Sequence, residues 1–178
     1  MSALTKEPIV QEQAKTKPKI EVIIAEYLDG ESRQSLTDLM GYCKANGIKN
    51  SWSGTNRWQL KLNETNIGTI YIGHMPRQTG GKDLKKNIWY ISFNMLDERF
   101  VEDVIEKDNL TDIIHKNVIR CIGCRKNCAP HYPVTILEKE FTGLCRFAGN
   151  LYANPNAETL CCIKKWLDYT VEKLSGNV

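Results

Sequence analysis

The sequence predicts an α+β fold: a small antiparallel sheet with N-terminal, middle and C-terminal helices and a cysteine-rich, metal-tied loop. Three observations predict it. Apolar residues recur at helical spacing near both ends, as Leu36, Leu39, Met40 and Cys43 and again as Leu160, Ile163, Leu167, Val171 and Leu174. Between them Trp58, Leu60 and Leu62 alternate with polar residues, the period of a half-buried strand. Finally, Cys121, Cys124 and Cys128 follow one another closely and are answered by Cys145.

Residues 1–19 are charged and punctuated by Pro8 and Pro18. They offer too little apolar surface to offset ordering entropy, so a flexible tail is expected ahead of a single α+β domain over 20–178. Ile20, Ile23, Ile24, Tyr27 and Leu28 predict a first helix, interrupted at Asp29-Gly30. Ser32 is the expected cap of the second, which Gly47 closes. Strands are expected over 56–62, 67–72 and 88–93, with Trp58, Leu60, Ile70, Trp89 and Ile91 on one buried face. The long connection from Gly73 to Asn87 carries Arg77, Lys82, Lys85 and Lys86, and its length marks it as functional or mobile.

Asp97 is a cap for a helix with Phe100, Val101, Val104 and Ile105, and Asp108 or Asn109 for another with Leu110, Ile113 and Ile114. A short strand, Val134 to Leu137, leads to Phe141 and Cys145. Asn154-Pro155 reads as an N-cap followed by proline at the first helical position, opening a final helix that ends near Gly176. On that helix Cys162, Trp166 and Tyr169 make a second stripe, as expected of a helix buried on two sides.

A chain of 178 residues buries about 70% of its unfolded surface, so the cysteines need not rescue a miniature core. The net charge of +3 is too small to announce nucleic acid or an anionic membrane, and a small ligand or a protein is the favoured partner. Residues 1–10 contain no apolar signal-peptide core, and no apolar run reaches the roughly 20 residues of a membrane span. A cytoplasmic location follows as the expectation. Seven cysteines, an odd number in a reducing compartment, then point to metal or free thiols instead of disulfides.

Cys121-x2-Cys124-x3-Cys128 with Cys145 supplies the thiolates for a closed tetrahedral zinc, and His131 competes as the fourth ligand. Such a closed site is structural. Arg120, Arg125 and Lys126 would balance its negative charge. An iron–sulfur cluster uses the same ligands, although the spacing is not the ferredoxin run, and buried free thiols are the third possibility. Adjacent Cys161 and Cys162 point about 100° apart on a helix and cannot serve one metal together. The outward sheet face is a candidate ligand-binding surface through Arg57, Lys61, Tyr71 and Tyr90.

The stretch from Trp52 to Ile72, the Cys121/Cys124 loop, and Lys139-Glu140-Phe141 with Cys145 resemble a group of small uncharacterised bacterial proteins. In that group a Trp-containing sheet, here Trp58, precedes a Cys-x2-Cys loop. The resemblance implies that sheet and loop share a domain, and it carries no activity. No catalytic constellation, phosphate loop or dinucleotide fingerprint is present. The expected function is a non-enzymatic binding or interaction module stiffened by zinc. The alternatives are a thiol or iron–sulfur redox protein and, more weakly, nucleic-acid binding through the basic loop at 77–86.

Overall fold

The computed structural model describes residues 7–73, 86–93, 110–119, 133–136, 138–144 and 149–176. Among these the chain is α+β. The helices are α1 (Glu7–Thr16), α2 (Ile20–Tyr27), α3 (Gly30–Ala45), α4 (Thr111–Asn117) and α5 (Ala157–Leu174). The strands are β1 (Lys49–Gly54), β2 (Arg57–Leu62), β3 (Thr65–Ile72), β4 (Trp89–Phe93), β5 (Val134–Ile136), β6 (Lys139–Phe141) and β7 (Asn150–Ala153). Five strands form one sheet in the order β1-β2-β3-β4-β7, and β5 pairs with β6 separately. The chain divides into two compact units, Met1–Tyr90 and Ile91–Val178, the boundary falling inside β4.

In the first unit the predicted alternation sets the sheet. Trp58 lies opposite Ile70 in the antiparallel β2–β3 pair, and Leu60 follows on the same face. Trp58, Leu60, Ile70 and Trp89 are all buried, as is Ile91 at the start of the second unit. The rings keep their polar edges satisfied: Trp58 Nε1 donates to the Pro18 carbonyl at 3.2 Å, and Trp89 Nε1 to Ser35 Oγ at 3.2 Å. Asn63 and Glu64 both take positive φ, 46° and 65°, the signature of a two-residue type I′ hairpin turn between β2 and β3.

Helix ends in this unit depart from the expected caps. Asp29, not Ser32, occupies the N-cap position of α3, and its side chain makes no capping bond. Asn87 does that work from a distance. Its Oδ1 accepts the Asp29 N–H at 2.8 Å, its N–H donates to the Tyr27 carbonyl at 2.9 Å, and its carbonyl accepts from Ser32 Oγ at 3.2 Å. Arg33 closes the end of α2 by donating to the carbonyls of Leu28 (2.8 Å) and Ala25 (2.6 Å). At the other end of α3 the expectation for Gly47 holds. With φ of 72° it makes a Schellman turn, in which Ile48 N–H reaches the Cys43 carbonyl at 2.9 Å and Gly47 N–H the Lys44 carbonyl at 3.3 Å.

Two elements differ more substantially from the sequence reading. Where a flexible tail over 1–19 is expected, Glu7–Thr16 forms α1, which packs against β1. It is anchored by a polar residue. Gln13 is buried, donating from Nε2 to Asn56 Oδ1 at 2.6 Å and accepting the Asn56 N–H on Oε1 at 2.8 Å. The second difference is β1 itself, which pairs antiparallel with β2.

In the second unit α5 buries Ile163 and Leu167 on one side and Cys162 and Tyr169 on another, so the expectation of two buried sides is met. Leu110, Ile114, Cys162 and Tyr169 form one core cluster with Ile113, Ile136 and Trp166 against it. Phe93 stacks near Trp166 (centroids 4.0 Å) and meets Tyr152 edge-on (6.2 Å). The cap of α5 is Asn156, not Asn154: its Oδ1 accepts the Thr159 N–H at 2.9 Å, while Asn154 takes φ of 39° ahead of Pro155. Leu174, expected on the apolar stripe, is 38% exposed. The expected helix around Phe100–Ile105 lies outside the described residues. So do Arg77, Lys82 and Lys85.

Two substitutions test these anchors. Gln13→Ala strands both a buried carbonyl oxygen and a buried N–H of Asn56, and should lower unfolding stability in urea by about 1–3 kcal/mol. Trp58→Ala empties a fully buried site and should cost about 3–5 kcal/mol. A Gln13→Ala variant indistinguishable from the parent would mean that α1 is not held by this contact.

Candidate functional site

Two candidate sites were legible in the sequence, and the structure describes them unequally. Cys121, Cys124, Cys128, His131 and Cys145 lie outside the described residues, so only their flanks have geometry. Among the described residues no group of three or more His, Cys, Asp and Glu is placed to hold a metal ion.

Those flanks are tied at both ends. On one side, Val118 bridges Asn150 in antiparallel fashion and Ile119 N–H donates to the Gly149 carbonyl at 3.0 Å. On the other, β5 and β6 pair in the register Val134–Phe141, Thr135–Glu140 and Ile136–Lys139. Residues 120–133 and 142–148 are therefore two arcs between the same two backbone ties. The first arc contains Cys121, Cys124, Cys128 and His131, and the second contains Cys145.

Side chains reinforce the frame. The His115 ring nitrogen Nε2 meets the Ile136 carbonyl at 2.9 Å; a carbonyl only accepts, so Nε2 carries the proton. The same ring lies 5.2 Å from Phe141, and the Lys139 ammonium stands 5.4 Å from the Phe141 ring centre. Buried Asn150 donates from Nδ2 to the Ile114 carbonyl at 3.2 Å, joining β7 to α4.

The second candidate is the outward face of β1–β3. Opposed residues of an antiparallel pair share a face, so the register gives its composition directly. Lys49 stands opposite Lys61, Ser51 opposite Gln59, which in turn faces Thr69, and Arg57 stands opposite Tyr71. Arg57 does not swing freely. Its Nε donates to Ser53 Oγ at 3.2 Å and its terminal nitrogen donates to the Ser53 carbonyl. The guanidinium lies across Gly54, whose φ of 156° favours glycine; an added Cβ would come within 3.1 Å of the guanidinium and push it aside by a few tenths of an ångström.

Of the four residues expected to bind a ligand, Arg57, Lys61 and Tyr71 are brought onto this face, with Arg57 exposed and the other two half-buried. Tyr90 is only 7% exposed, and burial raises its phenol above its ordinary value. Sequence reasoning missed Lys49, Ser51 and Ser53. Their signal was weak, because β1 is polar almost throughout and shows no apolar alternation. The face offers cations, hydroxyls, an amide and a ring. Strands β1 to β4 contain three cations and no Asp or Glu, and Glu64 sits on the β2–β3 turn.

No known protein family, curated protein or solved structure matches the chain. Nor is any helix among the described residues long and apolar enough to cross a membrane.

The two cysteines of α5 give a direct test of burial. Cys161 is exposed and Cys162 buried. Burial, with a smaller contribution from neighbouring Cys161, pushes the Cys162 thiol from 9.0 up to about 11, and Tyr152 is pushed up mainly by its own burial. Peptide mapping after brief alkylation near neutral pH should find Cys161 modified and Cys162 intact, since the thiolate is the reactive form. The folded chain holds the Cys162 proton more tightly than the unfolded chain. The contribution of this thiol to stability is therefore present below pH 9.0 and is lost as pH rises through the interval to about 11. Cys162→Ala should flatten that fall in urea midpoints measured across the interval.

Proposed function

We propose that the chain is a non-enzymatic binding module of the cytoplasm whose cysteine run holds a structural zinc. The observation that carries this reading is the pair of backbone ties, Ile119 to Gly149 and β5 to β6. Cys145 is four residues from Phe141 and four from Gly149 along the chain, so it can stray from either tie by no more than about 14 Å. The other arc, anchored at the same ties, supplies Cys121, Cys124 and Cys128, with His131 as the competing fourth ligand.

The donor set fits the ion. Zinc favours thiolate and imidazole in a tetrahedron, and a full set of protein ligands leaves no position for a substrate. Four thiolates on Zn²⁺ carry a net charge of −2, and Arg120, Arg125 and Lys126 are the cations of the same stretch. The zinc would supply folding free energy by tying the two arcs together. Binding is then left to the sheet face, which has cations and hydroxyls and no paired acid and base.

Elemental analysis of the purified protein should give about one zinc per chain, with sulfur ligands at about 2.3 Å by X-ray absorption. Cys124→Ser should lose metal and thermal stability together, and Cys161→Ser should keep both. A brown, iron-containing protein would replace zinc by a cluster. A Cys124→Ser variant that stays as stable as the parent but loses a thiol-dependent activity would make the cysteines catalytic.

A further inference from the structure

We propose that the outward face of β1–β3 binds single-stranded nucleic acid, with Lys49, Lys61 and Arg57 on phosphates and Tyr71 against a base. The inference rests on reading the chain as a binding module and names its partner; it does not depend on the metal. The primary observation is the register of β1 on β2, which sets Lys49 directly across from Lys61. Like charges opposed on one face of a sheet are destabilising. An anion between them turns that cost into attraction.

Charge segregation extends the argument. The chain carries 24 Lys and Arg against 21 Asp and Glu, nearly balanced overall, yet strands β1–β4 carry cations alone. A face of one sign is complementary to a polyanion. Its cations also have spacing. Arg57 and Lys61 are four residues apart on β2, which at the rise of a strand puts them about 13 Å from each other. Gln59, with Ser51 and Thr69 beside it, lies between and offers hydrogen-bonding groups to sugar or base edges.

The choice of nucleic acid over an acidic protein segment comes from the Arg57 end. There the guanidinium is held in place by Ser53 over Gly54, with the Tyr71 ring on the neighbouring strand opposite. A fixed guanidinium plane and a phenol ring are stacking surfaces for unpaired bases, and an extended acidic peptide has no use for them. A duplex hides its bases, so a single strand fits better. Because Arg57 is already ordered, little side-chain freedom is lost on binding.

The test is fluorescence anisotropy with a labelled oligothymidylate of about 12 nucleotides, within the usual site size of a single-strand-binding surface. Three phosphates neutralised on a single strand predict a slope of log K against log salt of about −2, hence a loss of roughly 20-fold between about 50 and 200 mM salt. Lys49→Gln should make the slope shallower by about 0.7, and its melting temperature should hold or rise because a like-charge pair is relieved. Tyr71→Ala should weaken binding by roughly 5- to 150-fold with little change in the salt slope.

The proposal is overturned if wild-type protein leaves the oligonucleotide unbound, or if a duplex of equal length or a poly-glutamate peptide binds as tightly. It is overturned equally if Lys49→Gln and Tyr71→Ala bind like the parent. Zinc content, read on the same samples, keeps the two readings apart. Oligonucleotide binding without zinc defeats only the metal, and zinc without binding defeats only this surface.

Discussion

The first unit turns on one buried amide. Asn56 is fully buried at the β1–β2 turn, and a group with two polar ends and a backbone at φ of 49° is costly to bury without partners. Two of its bonds go to one residue of α1 and a third to the end of β3, while its Nδ2 is buried without a partner among the described residues. Gln13 of α1 meets its side-chain oxygen and its N–H, and its carbonyl accepts the N–H of Ile72 at the end of β3 at 3.0 Å. A turn residue thereby holds a helix from the N-terminal stretch and the far strand of the hairpin at once. Gln13 thus ties a helix that is mostly charged or polar in sequence to the β1–β2 turn.

That dependence explains why part of the fold was legible in the sequence and part was not. β2, β3 and β4 announced themselves through strict alternation around Trp58, Ile70 and Trp89, and α2, α3 and α5 through helical stripes. α1 and β1 gave no such signal. The Gln13–Asn56 bonds of α1 and the edge pairing of β1 are contacts that hydrophobic periodicity cannot register. The caps failed for a related reason: Asp29 borrows its partner from Asn87, 58 residues away, and no local motif encodes that. At the site, Arg57, Lys61 and Tyr71 followed from alternation in strands already found. Lys49 and Ser53 stayed hidden because β1 did, and the burial of Tyr90 depends on what covers β4, which its own sequence does not state.

In the second unit the comparable constraint is covalent connectivity closed by backbone bonds. Ile119 with Gly149, and β5 with β6, make a loop out of two arcs. On the proposed reading a metal joins the arcs across that loop, and the physical logic is that of entropy: the longer arc spans residues 120–133, and fixing a stretch of that length costs conformational entropy that a metal bond can offset. The cysteines of α5 stand apart from this. Cys162 is buried among Leu110, Ile114 and Tyr169 and serves as a small apolar side chain.

β1 then carries a double burden. It is an edge strand, and exposed edges invite pairing with other chains. Three features blunt this one: a charged residue, Lys49, at its start, an irregularity between Trp52 and Gly54, and α1 packed against it. The first two are also the parts of the proposed binding face. Lys49 supplies half of the opposed cation pair, and the irregularity brings Gly54 beneath the Arg57 guanidinium. A device that keeps the edge soluble has the same chemistry as one that attracts a polyanion, because both depend on unpaired positive charge on a twisted strand. What separates them is position. An edge needs its lysine to face outward anywhere along the strand, whereas the register sets this one against Lys61, where protecting the edge alone would favour a neutral or acidic partner.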